Sequence, residues 1–128
     1  MIVKQDASME AVPVRMEGAA GVTVRIPIGP AEGSQNMIMR LFCIAPGGHT
    51  PYHTHDYEHV VRVISGRGTV LDEKGIAHEV TEGHSVFVTP NEKHQFSNPY
   101  SEPFEFTCTI PNLEAKCVNE KCRAKGTC

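Results

Sequence analysis

The sequence predicts an all-β domain, a sandwich or barrel of short strands, and three observations carry that prediction. Turn signals recur at short intervals from Gly18 to Pro111, reading "EGAAG", "GPAEGSQN", "APGG", "SGRG", "DEKG", "TEG", "PNEK" and "NPYSEP". Between them lie short runs rich in Val, Ile, Thr and Phe, the composition of strands. At least two of these runs alternate apolar and polar residues, the period of a half-buried strand.

Taken in order, "VTVRIPI" (22–28) places Val22, Val24, Ile26 and Ile28 on one side and Thr23, Arg25 and Pro27 on the other. Pro27 cannot donate to a ladder, so this strand belongs at an edge or is free to pair with another subunit. "MIMRLFCI" (37–44) is apolar on both parities, which leaves Arg40 open to an inward or an outward reading. "HVVRVI", "GTVL", "IAHEV", "SVFVT" and "HQFSN" follow as further short strands. The last, "FEFTCTIP" (104–111), sets Phe104, Phe106, Cys108 and Ile110 against Glu105, Thr107 and Thr109. The apolar set faces the interior, and Phe96, sharing parity with His94, lines the same cavity.

The chain then divides into an N-terminal segment (1–20), a β domain (21–111) and a polar tail (112–128). The tail residues permit a helix, with Asn112 as N-cap and Gly126 as stop. Cys117, Cys122 and Cys128 lie there, without the paired CXXC spacing of a zinc ribbon. No internal repeat is visible.

Composition narrows the function. With 128 residues the chain is the size of one domain, and 40% hydrophobic with 21% charged residues is a globular balance. The net charge of −3 and the lack of a basic stripe argue against nucleic acid. The N-terminus lacks an apolar segment of the signal-peptide kind, and no run approaches the roughly 20 apolar residues that span a bilayer. A cytoplasmic protein with no membrane partner is expected. Five cysteines, an odd number, do not make a disulfide framework the default.

Four of the seven histidines fall between His49 and His59, in "HTPYHTHDYEH". In a strand, residues two apart face the same way, so His53 and His55 would project together, and His59 keeps their parity if "DYE" does not reset the face. His94 follows the turn "TPNEK" and could complete a site from a distant strand. Taken alone, the HXH pair is as compatible with solvated surface histidines as with metal ligands. His49, set among turn residues, is expected before the regular strand, and His78 and His84 are expected to face solvent. Tyr52 and Tyr57 flank these histidines with turn or opposite-face readings open.

The spacing extends further than that pair. Residues 47–66, "GGHTPYHTHDYEHVVRVISG", resemble the first cupin motif, G(X)5HXH(X)3,4E(X)6G, with Gly47, His53, His55 and Gly66 in place and His59 at the glutamate position. Residues 83–98, "GHSVFVTPNEKHQFSN", resemble the second, G(X)5PXG(X)2H(X)3N. There Gly83, His94 and Asn98 match, Thr89 replaces the proline, and Asn91 replaces a glycine whose left-handed backbone Asn also tolerates. The chain is similar to the small single-domain four-histidine cupins of the manganese type. That resemblance implies a double-stranded β-helix, or jelly-roll barrel, holding one divalent transition metal through His53, His55, His59 and His94. Glu58 is one residue out of position and faces the other way. Small cupins of this kind commonly pair as homodimers through an N-terminal strand, which "VTVRIPI" could supply.

Replacing the motif's carboxylate by imidazole removes a negative charge, which sharpens Lewis acidity. Manganese is the first expectation for the metal, with iron, nickel, copper and zinc also suited to imidazoles. Arg40, Phe96, Phe106 and Cys108 are the expected pocket residues around a small-molecule ligand, and an inward Arg40 would need an anionic partner. Three functions fit. The first is a metalloenzyme with oxidative, dioxygenase-like chemistry on a phenolic or unsaturated compound. The others are a redox-neutral isomerase or lyase acting on a sugar acid or keto acid, and a non-catalytic binding module.

Overall fold

The computed structural model describes residues 1–113. Nine strands are present among them: β1 (Val12–Pro13), β2 (Ala20–Ile28), β3 (Met37–His49), β4 (His59–Ser65), β5 (Arg67–Leu71), β6 (Ala77–Thr81), β7 (Ser85–Val88), β8 (Gln95–Ser97) and β9 (Phe104–Pro111). They form one curled antiparallel sheet in the order β6-β5-β8-β3-β9-β4-β7, with β2 alongside β3 and β1 alongside β2. This is a jelly-roll barrel. Every run read as a strand from the sequence is one, with ends shifted by a few residues at most.

Strand β3 is the hub. Met37 to Ile44 pair with β9, whereas His49 pairs with Ser97 of β8. The change of partner falls at Gly47 and Gly48. Gly47 has φ +80, open to glycine without strain, and a Cβ on Gly48 would lie 2.6 Å from the Ala20 carbonyl oxygen. The leading glycine of the first motif therefore lets one strand serve both parts of the sheet. His49, expected ahead of the strand, is instead its last residue.

Alternation buries the core as predicted on β9, where Phe104, Phe106, Cys108 and Ile110 are inside. Strand β2 departs from its pattern. Val24 opposes Phe42 and Arg25 opposes Leu41, but Ile28 rather than Pro27 opposes Met39, an extra residue that makes a bulge. Ile28 is thereby turned to the outer face with Met39 and Leu41, while Val22, Val24 and Ile26 face the cavity. Pro27 lies within this bulge, where a missing N–H costs no ladder bond. The edge of β2 near Thr23 and Val24 is covered by the chain's own β1.

The asparagine that closes the second motif ties the ends of these strands together. Asn98 is 1% exposed; its side-chain amide donates to the carbonyls of Ile44 (2.9 Å) and Glu102 (2.7 Å) and accepts from the Tyr100 N–H (3.0 Å). Its own carbonyl and N–H pair with Gly47 and Gly48. Asn112 is buried as well, its N–H donating to the Asn36 carbonyl. The helix read for the tail, with Cys117, Cys122 and Cys128, lies outside the described residues. No helix among the described residues is long and apolar enough to cross a membrane.

Asn98→Ala strands two buried carbonyls and an N–H. It should destabilise the protein by about 3 kcal/mol, read as a lower urea midpoint at unchanged slope.

Candidate metal centre and its cavity

The stretch from Thr50 to Glu58 is irregular, so the histidine pair does not sit on a strand as the parity reading supposed. What brings the imidazoles together is a lacing of this segment to residues 91–96. His53 and His94 exchange reciprocal backbone bonds, N–H to carbonyl, at 3.2 and 3.0 Å. Asn91 donates to the His55 carbonyl at 2.6 Å, and Thr50 exchanges bonds with Phe96 through its N–H and its hydroxyl. Asn91 has φ 67, the one positive value at a non-glycine residue among the described ones. The asparagine substituted into the second motif thus performs the turn expected of glycine.

The result is a convergence of His53, His55 and His94, each offering a nitrogen within 4.8 Å of the others. The Nε2 atoms of His53 and His55 are 3.1 Å apart. Two nitrogens bound at right angles to one ion at about 2.1 Å would be separated by about 3 Å, so this spacing suits a shared metal. His94 Nδ1 lies 2.8 Å from the Glu92 carbonyl, to which it can only donate, so its Nε2 keeps the lone pair. His59, the first residue of β4, is 4% exposed and packs its ring 4.8 Å from that of His94 and 5.2 Å from that of His55. Its Nδ1 is buried with no hydrogen-bond partner among the described residues. The donor set fits a divalent ion: three nitrogens converge and a fourth ring stands beside them.

All four rings are held neutral. Burial, helped by the charge of neighbouring histidines and Arg40, lowers His53, pushes His55 down to about 4 and His59 to about 3. Burial lowers His94 too, against the opposing pull of Glu92. Neutral imidazole is the form that ligates.

Beside the histidines is a cavity of about 320 Å³. Arg40 lines it, which settles the orientation the sequence left open, and Phe96, Phe106 and Cys108 line it as expected. Arg40 Nη2 contacts Cys108 Sγ at 3.1 Å. Burial holds that thiol above its ordinary pKa despite the nearby guanidinium. Val14 and Met16, assigned from sequence to a segment outside the barrel, also face the cavity. Their apolar alternation in "VPVRM" was the signal for this. Tyr57, whose orientation the sequence left open, is 5% exposed and stacks on His55, centroids 4.9 Å apart. His78 and His84 are exposed, as read, and Glu58 is exposed too, on an irregular segment rather than on a strand. His49 is half-buried and is not part of the cavity lining.

The depressed histidines fix a pH dependence for the metal-free protein. Below about pH 6.5 the unfolded chain takes up protons that the folded chain refuses, so stability is full above that value and falls as pH drops toward the folded values. For His59 alone, after allowance for screening, the loss between pH 7 and pH 5 is on the order of 1 kcal/mol. Metal-free protein should therefore melt several degrees lower at pH 5 than at pH 7, and His59→Asn should flatten the slope. A melting temperature constant across that range in the wild type would contradict the buried, neutral assignment.

Among proteins of known structure, a polyketide cyclase from Streptomyces resistomycificus is similar with a TM-score of 0.83 and 28% identity, over 87% of this chain and 79% of that one. A sugar phosphate isomerase of the cupin superfamily from Silicibacter pomeroyi shares the fold with a TM-score of 0.73 and 21% identity, over 86% of this chain and 76% of that one. A curated relative, the 1-methylthio-D-xylulose 5-phosphate methylsulfurylase of Rhodospirillum rubrum, is 29% identical over 72 residues. That match takes in 56% of this chain and 46% of the relative's length. The cupin domain model matches residues 40–110, a span that takes in both motifs up to the last strand and all four histidines, and the chain belongs to the Cupin_2 family.

Proposed function

We propose that the protein binds one divalent transition metal through His53, His55, His59 and His94 and is an enzyme acting on a planar, mostly apolar, oxygenated molecule. The observation that carries this is the pairing of neutral, converging imidazoles with a cavity whose other walls are mostly Val, Ile and Phe side chains. Such a metal supplies Lewis acidity toward substrate oxygens. The chain itself contributes the fixed ring positions and a wall of stacked aromatic rings. Manganese remains the first candidate on the resemblance to the four-histidine cupins, while the all-imidazole donor set by itself suits iron, nickel, copper and zinc.

The cavity argues against a polyol. Beyond the histidines its polar groups are Thr50, Arg40 and Cys108, and each hydroxyl buried without a partner would cost about 1–3 kcal/mol. A sugar acid therefore fits less well than a phenol, an enolisable ketone or a polycarbonyl compound. Two chemistries remain for such a molecule. The oxidative, dioxygenase-like reaction is consistent with an apolar site. Likeness to a polyketide cyclase over most of both chains favours the redox-neutral alternative, rearrangement or condensation at an enolised carbonyl.

Untagged protein isolated without added metal should contain about one equivalent of a transition metal. His94→Ala should lose it, and His59→Ala should weaken binding by more than the roughly 10–100-fold that loss of an outer partner costs. Metal absent from the wild type under these conditions would sink the proposal. With metal present, oxygen uptake across a panel of phenols and 1,3-diketones assigns oxidative chemistry. Product formed without oxygen uptake assigns the redox-neutral one, and tight binding with no product leaves the non-catalytic module.

A further inference from the structure

Among the described residues, the cavity is lined by a cation and by no acid. Arg40 shares the inner face of β3 with Phe42, and its guanidinium carbon lies 4.9 Å from that ring. Its other close contact is the Cys108 sulfur, a weak acceptor, at 3.1 Å. Its Nε is buried with no hydrogen-bond partner among the described residues. Among the described residues no Asp or Glu lines the cavity, and Arg40 is in none of their ion pairs. A guanidinium stays charged at any working pH. Half-buried, with its Nε fully so and no counter-charge among the described residues, it destabilises the empty site, and an incoming anion would relieve that cost.

The surroundings describe the rest of the ligand. Phe42 and Phe106 stack at 5.4 Å with planes 24° apart, and Phe96 and Phe106 at 4.6 Å and 23°. Three rings stacked in succession make an apolar wall running from Arg40 toward His94, whose ring is 6.2 Å from that of Phe96.

We infer that Arg40 anchors the carboxylate of a largely apolar acid whose body lies along the Phe42–Phe106–Phe96 stack and reaches the histidine cluster. The inference deepens the proposed function, since it rests on the cavity being the substrate site and names the substrate class. The planar fork of a guanidinium matches a carboxylate with two parallel hydrogen bonds. A phosphate ester fits less well, because it brings close to two charges and a wide hydration shell to a pocket with one free cation. A neutral ligand would leave the guanidinium unmet.

The test uses 2-naphthoate and its neutral counterpart 2-naphthamide as probes on the full chain, metal-loaded and metal-stripped. The protein has no tryptophan, so naphthyl emission is read with little interference. In the metal-stripped wild type, naphthoate should bind at least about tenfold more tightly than naphthamide, the worth of one charge-assisted hydrogen-bonded pair. Arg40→Gln should abolish that preference, lowering naphthoate affinity by far more than naphthamide affinity. Arg40→Lys keeps the charge and loses the fork, so it should retain part of the preference, and it decides the matter if Arg40→Gln does not fold. Equal affinities in the wild type, a preference that survives loss of the guanidinium, or no binding of either probe at millimolar concentration would overturn the inference. Metal content of the same samples is read separately. A preference intact in a protein that never acquires metal would overturn the metal centre and leave the carboxylate anchor standing.

Discussion

The site depends on a reciprocal pair of backbone hydrogen bonds between His53 and His94. Neither residue belongs to a regular strand, and 40 positions separate them in the chain, yet the exchange fixes both main chains in one register. With Thr50 bonded to Phe96 and Asn91 to the His55 carbonyl, two irregular segments acquire the rigidity of a sheet without its geometry. Rigidity matters because the imidazoles are desolvated and crowded. Their mutual approach would be unfavourable if any were charged, and burial keeps each of them neutral.

Much of the architecture was legible because turn chemistry and strand period are local. The order and rough extent of eight strands follow from residues that are neighbours in sequence. The motif positions also explain themselves in the structure: Gly47 at the change of partner, Asn91 in the left-handed turn and Asn98 as the knot between strand ends. The site histidines were found for partly the wrong reason. Parity in a strand was invoked for His53 and His55, whereas hydrogen bonds to a distant loop aim them, and nothing within "HTH" encodes those partners.

Other features stayed hidden for physical reasons of the same sort. The bulge that sends Ile28 to the outer face depends on the register against β3, not on the alternation of "VTVRIPI" itself. Arg40 sits in a run that is apolar on both sides, so only the pairing of β3 with β9 reveals that it shares an inner face with Cys108. Val14 and Met16 belong to a stretch with too few residues in regular pairing to be read as part of the barrel. In each case the missing information is long-range, supplied by a partner that composition does not name.

Those two residues give the cavity an unequal wall. On one side stand β3 and β9, paired along eight consecutive positions, and on the other hangs a segment fastened through a strand of two residues, with Val14 bonded to Val22 just beyond it. Local opening free energies follow such differences in hydrogen bonding and burial, so the side carrying Val14 and Met16 is the one that yields first. A ligand of the proposed kind would then enter past the N-terminal flap, at a distance from the rigid end where the histidines converge. Variation in the flap can retune which guests are admitted, and how long they stay, without disturbing a single imidazole.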